Sequence, residues 1–371
     1  MGSDVPFILH ILLIWSVSVY LLANCVNDSN LECVGGETAP CVPADEPHPV
    51  LSEYNLFQGP LKEMRPAAGV LPYDLNTLLF SDYAQKFRMI YVPRGSAVTI
   101  RDGGELYFPE GTVLVKNFFY DLDLRNTAAG RRIVETRLLI RRATGWETAT
   151  YVWNETQDQA HLKQAGARQQ IEWTGRQGDR RKVDYLIPSK NDCKSCHSRG
   201  NKLLPLGPEP ANLNKIYHYA DGPENQLARW ERRGILWDKP ATDSITPLPV
   251  WDDPSTGTLD ERARSYLEVN CGHCHNPSGS ARNSGLFLSF GQQDPYRLGL
   301  CKPPVAAGNG TGGRSHDIVP CRPDRSILVY RMETQKPAER MPEIGRTLVH
   351  EEGVALIKEW IESMECGMCD N

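Results

Sequence analysis

What the chain lacks narrows the field before any motif is read. Its 371 residues show no excess of positive charge: 41 Lys and Arg stand against 46 Asp and Glu, a net charge of −5. That balance argues against nucleic acid as a partner, because a phosphate-binding face needs clustered cations. The mild acidity reads as ordinary solubility. The chain also lacks a comfortable membrane span at its start. The apolar run Phe7–Ala23 is interrupted by His10 and is short for crossing a bilayer, but it suits the apolar core of an export signal. The run lacks the usual preceding Lys or Arg, and Asp4 stands there instead.

The run ends in Leu22-Ala23-Asn24-Cys25, a lipobox-like string with an unusual Asn before the cysteine. Residues 1–25 are therefore expected to be an export leader or anchor. Lipid on Cys25, an uncleaved apolar anchor and plain cleavage remain open. Export predicts a periplasmic or outer-surface location, with membrane attachment through Cys25 or the apolar segment.

Cysteine is not scarce. Eleven are present, four of them in "DCKSCHSRG" (192–200) and "VNCGHCHNPSG" (269–279). Both stretches contain C-x-x-C-H, in which two thiols can form thioethers to one porphyrin and the following imidazole can ligate its iron. This predicts two covalently bound haem c groups, held by Cys193 and Cys196 and by Cys271 and Cys274, with His197 and His275 as proximal iron ligands. Two C-x-x-C pairs could instead hold zinc, but zinc-ribbon pairs lie some 15–20 residues apart and these are roughly 75 apart. A thioredoxin-like pair gives no reason for either trailing histidine. His273 reads as a spacer whose side chain points away from the iron. Six cysteines remain after Cys25 and the motifs, an even number suited to disulfides in an oxidising compartment. Cys301 with Cys321 is the first expected pair and Cys33 with Cys41 the next.

Residues 26–50 are polar and Pro-rich, a tether. From 51 to 188 the chain reads as β: "FRMIYV", "GTVLVKNFFY", "RIVETRLLIRR", "TATYVWN" and "KVDYLIP" are rich in β-branched and aromatic residues, with turn signals between them. An antiparallel sandwich follows from that spacing. No catalytic constellation is evident there, and His161 reads as a surface or packed residue. Residues 189–237 form the first haem segment. Gly207-Pro208 marks where a backbone carbonyl could take the His197 Nδ1 proton, although an ordinary turn explains the pair equally well. Residues 238–257 are a Pro-rich linker. Thr258-x-x-Glu261 is a capping box opening a helix that leads into Cys271, and "EEGVALIKEWIESM" is a closing amphipathic helix. The expected fold is thus multidomain α+β, a β-sandwich-like domain followed by a mainly α-helical haem region.

Residues 258–366 resemble a class I cytochrome c domain. The resemblance implies a distal methionine before a proline, which points to Met341 in "ERMPEIG" as the sixth ligand of the second haem. The chain from about 51 onward resembles a family of exported dihaem c-type cytochromes catalogued as conserved hypothetical proteins. The stretches that carry this include "LPYDLNTLLFSDYAQKFR", "FPEGTVLVKNFFY", "YADGPENQLARW", "DERARSYLEVNCGHCHNP" and "MPEIGRTLVHEEGVALIKEWI". The first haem has no evident distal ligand; Met332, His218 and Met89 are candidates. The leading expectation is an electron relay between redox partner proteins. A dihaem peroxidase using the first haem, and an electron-transfer subunit docked to an oxidoreductase through the β domain, are the alternatives.

Overall fold

The computed structural model describes residues 1–2 and 39–371, except 102–103, 239, 306, 368, 370 and 371. The expected leader, the lipid site Cys25 and the pairing of Cys33 lie outside the described residues. From residue 39 onward the chain packs as one compact unit. Among the described residues no helix is long and apolar enough to cross a membrane.

Ten strands dominate the first half: β1 Val70–Tyr73, β2 Gln85–Tyr91, β3 Val98–Ile100, β4 Leu106–Tyr107, β5 Val113–Asp121, β6 Arg131–Arg142, β7 Gly145–Trp153, β8 Ala160–Leu162, β9 Ala167–Thr174 and β10 Arg180–Ile187. One antiparallel sheet runs in the order β1-β2-β5-β6-β7-β8, and β9 and β10 form a separate ribbon. Period-2 alternation gives the large sheet two buried faces. One face packs Met89, Val115, Leu138 and Tyr151 against Leu51 and Tyr54. Toward the end of β5, Phe118 and Tyr120 of the opposite face pack on Ile171, Trp173 and Tyr185 of the ribbon.

The second half corrects the sequence expectation. No mainly α-helical region follows the β part. The seven α-helices described are short: α1 Lys190–His197, α2 Pro210–Leu213, α3 Gln226–Arg232, α4 Leu259–Leu267, α5 Pro295–Leu298, α6 Ile327–Glu333 and α7 Glu351–Glu362. Loops, turns and small strand pairs connect them. The physical reason lies in stretches such as "LPLGPEPANLN" and "CKPPVAAGNGTGG". Proline removes the backbone donor that a continuing helix needs, and glycine carries an entropic cost in a helix interior. The β part differs too: it is one large sheet, a two-stranded ribbon and a small sheet in which β3 pairs with β4 and with Leu236–Trp237, not two matched sheets of a sandwich.

Where the sequence signals were strongest the local structure follows them. Thr258 Oγ1 accepts the Glu261 N–H at 3.2 Å while Glu261 accepts the Thr258 N–H at 2.8 Å, capping α4. Ala263, Tyr266 and Leu267 of α4 then pack on Val354, Ile357, Trp360 and Ile361 of α7. The two helices meet at Gly353, where an added Cβ would fall inside the van der Waals surface of the Tyr266 ring.

Two polar ties join distant parts of the chain. Asp82, 2% exposed, accepts the N–H groups of Thr347 and Leu348, each at 2.7 Å, across 265 and 266 residues. Asn270, just before the second motif cysteine pair, accepts the Phe80 N–H at 2.8 Å.

Cysteine pairing also differs from expectation. Cys301 bonds to Cys369 and Cys321 to Cys366, not to each other. Both bonds fasten the 301–321 loop to the tail beyond α7, which the fold brings beside it. Cys41 is disulfide-bonded. These bonds mark an oxidising environment of the kind exported proteins meet.

Candidate functional site

The first C-x-x-C-H string lies in α1. Ser189 caps this helix by accepting the Asp192 N–H at 3.2 Å, and Asp192 returns a bond to the Ser189 N–H at 2.9 Å. Cys193 and His197 face the large sheet, where both line a small space with Lys116, Arg137 and Thr150. His197 Nδ1 donates to the Leu204 carbonyl at 2.7 Å, three residues before the Gly207-Pro208 pair that the sequence singled out. Gly207 has φ +99°, and a Cβ there would sit 2.7 Å from Leu75 Cδ1, so the turn must be glycine to lie this close to the β part. Burial drives the His197 imidazole down to about 3, with the Leu204 carbonyl opposing. The ring is therefore neutral at ordinary pH, with its proton on Nδ1 and the Nε2 lone pair available.

The second string follows α4 through a π-helical turn, Glu268–Gly272, a local widening often found at functional sites. His275 Nδ1 donates to the Leu286 carbonyl at 3.3 Å. Burial lowers its pKa as well. Each histidine is thus oriented by a backbone carbonyl, which fixes its tautomer in the same way.

The fold brings the two strings together. Cys196 and Cys274 come close enough to interact, and the neighbouring Cys196 thiol lowers the Cys274 thiol, with further help from His273 and Ser280. The Gly200 N–H, just past the first string, donates to the Ser278 carbonyl at 3.2 Å, just past the second. Cys196, Cys271, Cys274, His275, Met332 and Met341 line one cavity of about 800 Å³. A smaller cavity of about 110 Å³ holds His197 with Arg88, Lys116, Glu209 and Glu268. His273, expected to be a turned-away spacer, lines both cavities, and its Nδ1 is buried without a partner.

The remaining candidates separate cleanly. Met341 and Met332 share the His275 cavity, and Met332 is also packed in the α4–α7 core. Met89 is fully buried in the core on the opposite face of the sheet from Lys116. His218 is exposed on the short strand Ile216–Tyr219. Neither Met89 nor His218 lines these cavities. His161 is exposed on β8. Sequence reasoning missed Arg88, Lys116, Glu209 and Glu268. Arg88 and Lys116 did carry a signal: Arg88 stands between Phe87 and Met89, and Lys116 directly follows the apolar run Val113–Val115.

The expectation of two haem irons as cofactors is corrected by the structure. Among the described residues no three His, Cys, Asp or Glu side chains gather into a group that could hold a metal ion. The four motif cysteines take part in no disulfide. The chain alone therefore builds no iron centre. What each string presents is a pair of thiols and one neutral imidazole, a donor set that serves iron only where a macrocycle brings the remaining ligands. No protein-family model, no curated protein and no solved structure matches this chain.

An aromatic box lies beside the second string. His350 stacks on Phe80 with ring centroids 4.2 Å apart, meets Trp251 at 5.0 Å, and pairs through Nδ1 with the Tyr266 hydroxyl at 3.0 Å. Burial pushes its imidazole down to about 4, with the Glu352 carboxylate opposing. The folded state therefore binds this proton less readily than the unfolded chain, whose histidine titrates near 6.5. The stability that follows from this difference is present above about pH 6.5 and is lost as the pH falls toward 4. Between pH 7 and pH 4 the loss is about 3 kcal/mol. Chemical denaturation across that range should show His350→Asn, which keeps an acceptor for Tyr266, with a flatter profile than the parent chain. Equal slopes would contradict this assignment.

Proposed function

We propose that the chain is an exported electron carrier, a relay of the dihaem c-type cytochrome kind that passes electrons between redox partner proteins, and a member of the family its sequence resembles. The observation that supports this reading is the convergence of the two C-x-x-C-H strings, with Cys196 against Cys274 and His273 in both cavities. Two centres side by side let an electron enter at one and leave at the other without a substrate being converted. In such proteins the haem supplies the one-electron couple. The chain's own residues do the rest: the Leu204 and Leu286 carbonyls hold the two imidazoles in one tautomer. Location in the periplasm or on the outer surface, with attachment through Cys25 or the apolar leader, belongs to the same proposal.

The test is the purified chain from a host that performs thioether attachment, measured by intact mass after acid–acetone extraction and by spectra in both oxidation states. Covalently retained haem mass would support the reading; a bare polypeptide mass overturns it. Within it, Met341→Ala should abolish a weak sulfur-to-iron band in the ferric state and lower one of two potentials. Survival of the band and of both potentials would assign that position to another residue.

The peroxidase reading is favoured by one observation. Glu209 and Glu268 line the His197 cavity, and burial raises both carboxyls, so an acid–base group is at hand. Fast peroxide reduction that is lost in Glu209→Gln would select it over the relay.

A further inference from the structure

The aromatic box of His350 joins a buried phenol to a base and the base to the surface. Tyr266 is 4% exposed, and its hydroxyl meets His350 Nδ1 at 3.0 Å. On the other side of that ring the Glu352 carboxylate stands 3.8 Å from Nε2. Burial keeps the imidazole neutral. Its proton sits on Nε2, toward the carboxylate, and Nδ1 accepts from the phenol. Gly353 holds the hydroxyl in place, since an added Cβ would overlap it. The Glu352 side chain is 56% exposed and also accepts the Tyr83 hydroxyl at 2.9 Å. Proton acceptors thus lead from a buried phenol to water in two steps.

Electrons have a route too. Trp251 is half-buried, and its ring meets Tyr266 and His350 with centroids 5.6 and 5.0 Å apart. A buried phenol resists oxidation while its proton stays, because the radical cation would be an unpaired charge away from water. A base already bonded to the hydroxyl removes that obstacle. Three other buried phenols lack such a base. Tyr120 and Tyr151 donate to the backbone carbonyls of Asp82 and His48, which take up no proton. Tyr185 donates to Glu135, but Arg137 grips both oxygens of that carboxylate.

We propose that Tyr266 and His350 form a redox-active pair, where the chain holds one oxidising equivalent as a neutral tyrosyl radical. An outer-sphere one-electron oxidant at the Trp251 face takes one electron, and Tyr266 refills the indole. The phenol proton moves to His350 Nδ1, which leaves an imidazolium beside Glu352. Tyr266 loses one electron and one proton; the oxidant gains the electron and the imidazole the proton. One electron from any reductant at that face returns the proton to the oxygen. The inference concerns these side chains alone and does not need the relay reading.

The experiment uses the full chain as purified, oxidised beforehand with ferricyanide, and photogenerated ruthenium(III) tris-bipyridine as the oxidant. Freeze-trapped samples are read by high-field electron paramagnetic resonance. The parent chain should hold a long-lived tyrosyl radical whose g-tensor reports a hydrogen bond to the phenoxyl oxygen. Tyr266→Phe, which keeps the ring packed on α7, should lose that signal, and Tyr296→Phe, which removes an exposed phenol, should keep it. His350→Asn keeps an acceptor for the hydroxyl but takes no proton, so the long-lived radical should be lost there as well. Absence of a hydrogen-bonded radical in the parent chain overturns the proposal, whatever the variants do. A signal that survives in Tyr266→Phe, or that lasts as long in His350→Asn, also overturns it.

Discussion

Replacing Cys321 and Cys366 together with serine should lower the stability of the chain by about 4 kcal/mol, the value that loop-closure entropy assigns to a bond closing some tens of residues. The two bonds bridge sequence separations of 45 and 68 residues, so removing Cys301 and Cys369 should cost a similar amount. The pairing itself is tested by the single variants. Cys321→Ser and Cys366→Ser break one bond, so the double variant should lose little more than either single one in guanidinium unfolding. Additive losses would show that these cysteines are not partners. Non-reducing peptide mapping that recovers a 301–321 cross-link would restore the arrangement expected from sequence.

Trp230→Ala should cost about 3–5 kcal/mol, as large aromatic deletions from a packed core do. Trp230 is fully buried and meets the edge of Tyr73 with ring centroids 5.7 Å apart. With Leu213, Leu227 and Leu236 it packs the 205–237 segment onto Leu71, Ile90 and Leu114 of the sheet. That segment continues directly from Leu204, the carbonyl that orients His197. The deletion should therefore loosen the imidazole as well as the core. Trp230→Phe should cost far less, since the indole N–H is buried with no acceptor and its removal relieves an unmet donor. Unfolding midpoints of the two variants decide the point. Equal losses would mean that the N–H is satisfied and the packing argument incomplete.

Legibility in the sequence followed the range of the interaction. The Thr258 capping box, the apolar stripe of α7 and the main strands are encoded by neighbours three or four positions apart, or by alternation, and each formed where the pattern placed it. The strings at 193–197 and 271–275 stood out for the same reason, but that the fold would set one beside the other was not legible. Nor were the disulfides. Cys301 and Cys321 bracket a Gly- and Pro-rich loop, and sequence proximity suggested their union, but the fold sets the post-α7 tail against them. The helical content expected after residue 188 failed because the stretch between α4 and α7 carries prolines and glycines that forbid continuous helix. The cations of the His197 cavity were hidden differently. Arg88, Lys116 and Arg137 are far apart in the chain, and only strand register makes them a row.

Asp82 carries a consequence for the order of events during folding. Its carboxylate is buried by two backbone N–H groups that arrive 265 and 266 residues later. A chain emerging from its N-terminal end can pair β2 with β5 long before Thr347 exists, and until then that carboxylate has only water. Contacts of such long range slow folding, because the loop entropy is lost before the bond is gained. The sheet is thus free to form early while the final closure waits for the last tenth of the chain. Asp82→Ala should accordingly speed unfolding more than it slows refolding, the signature of an interaction made after the transition state.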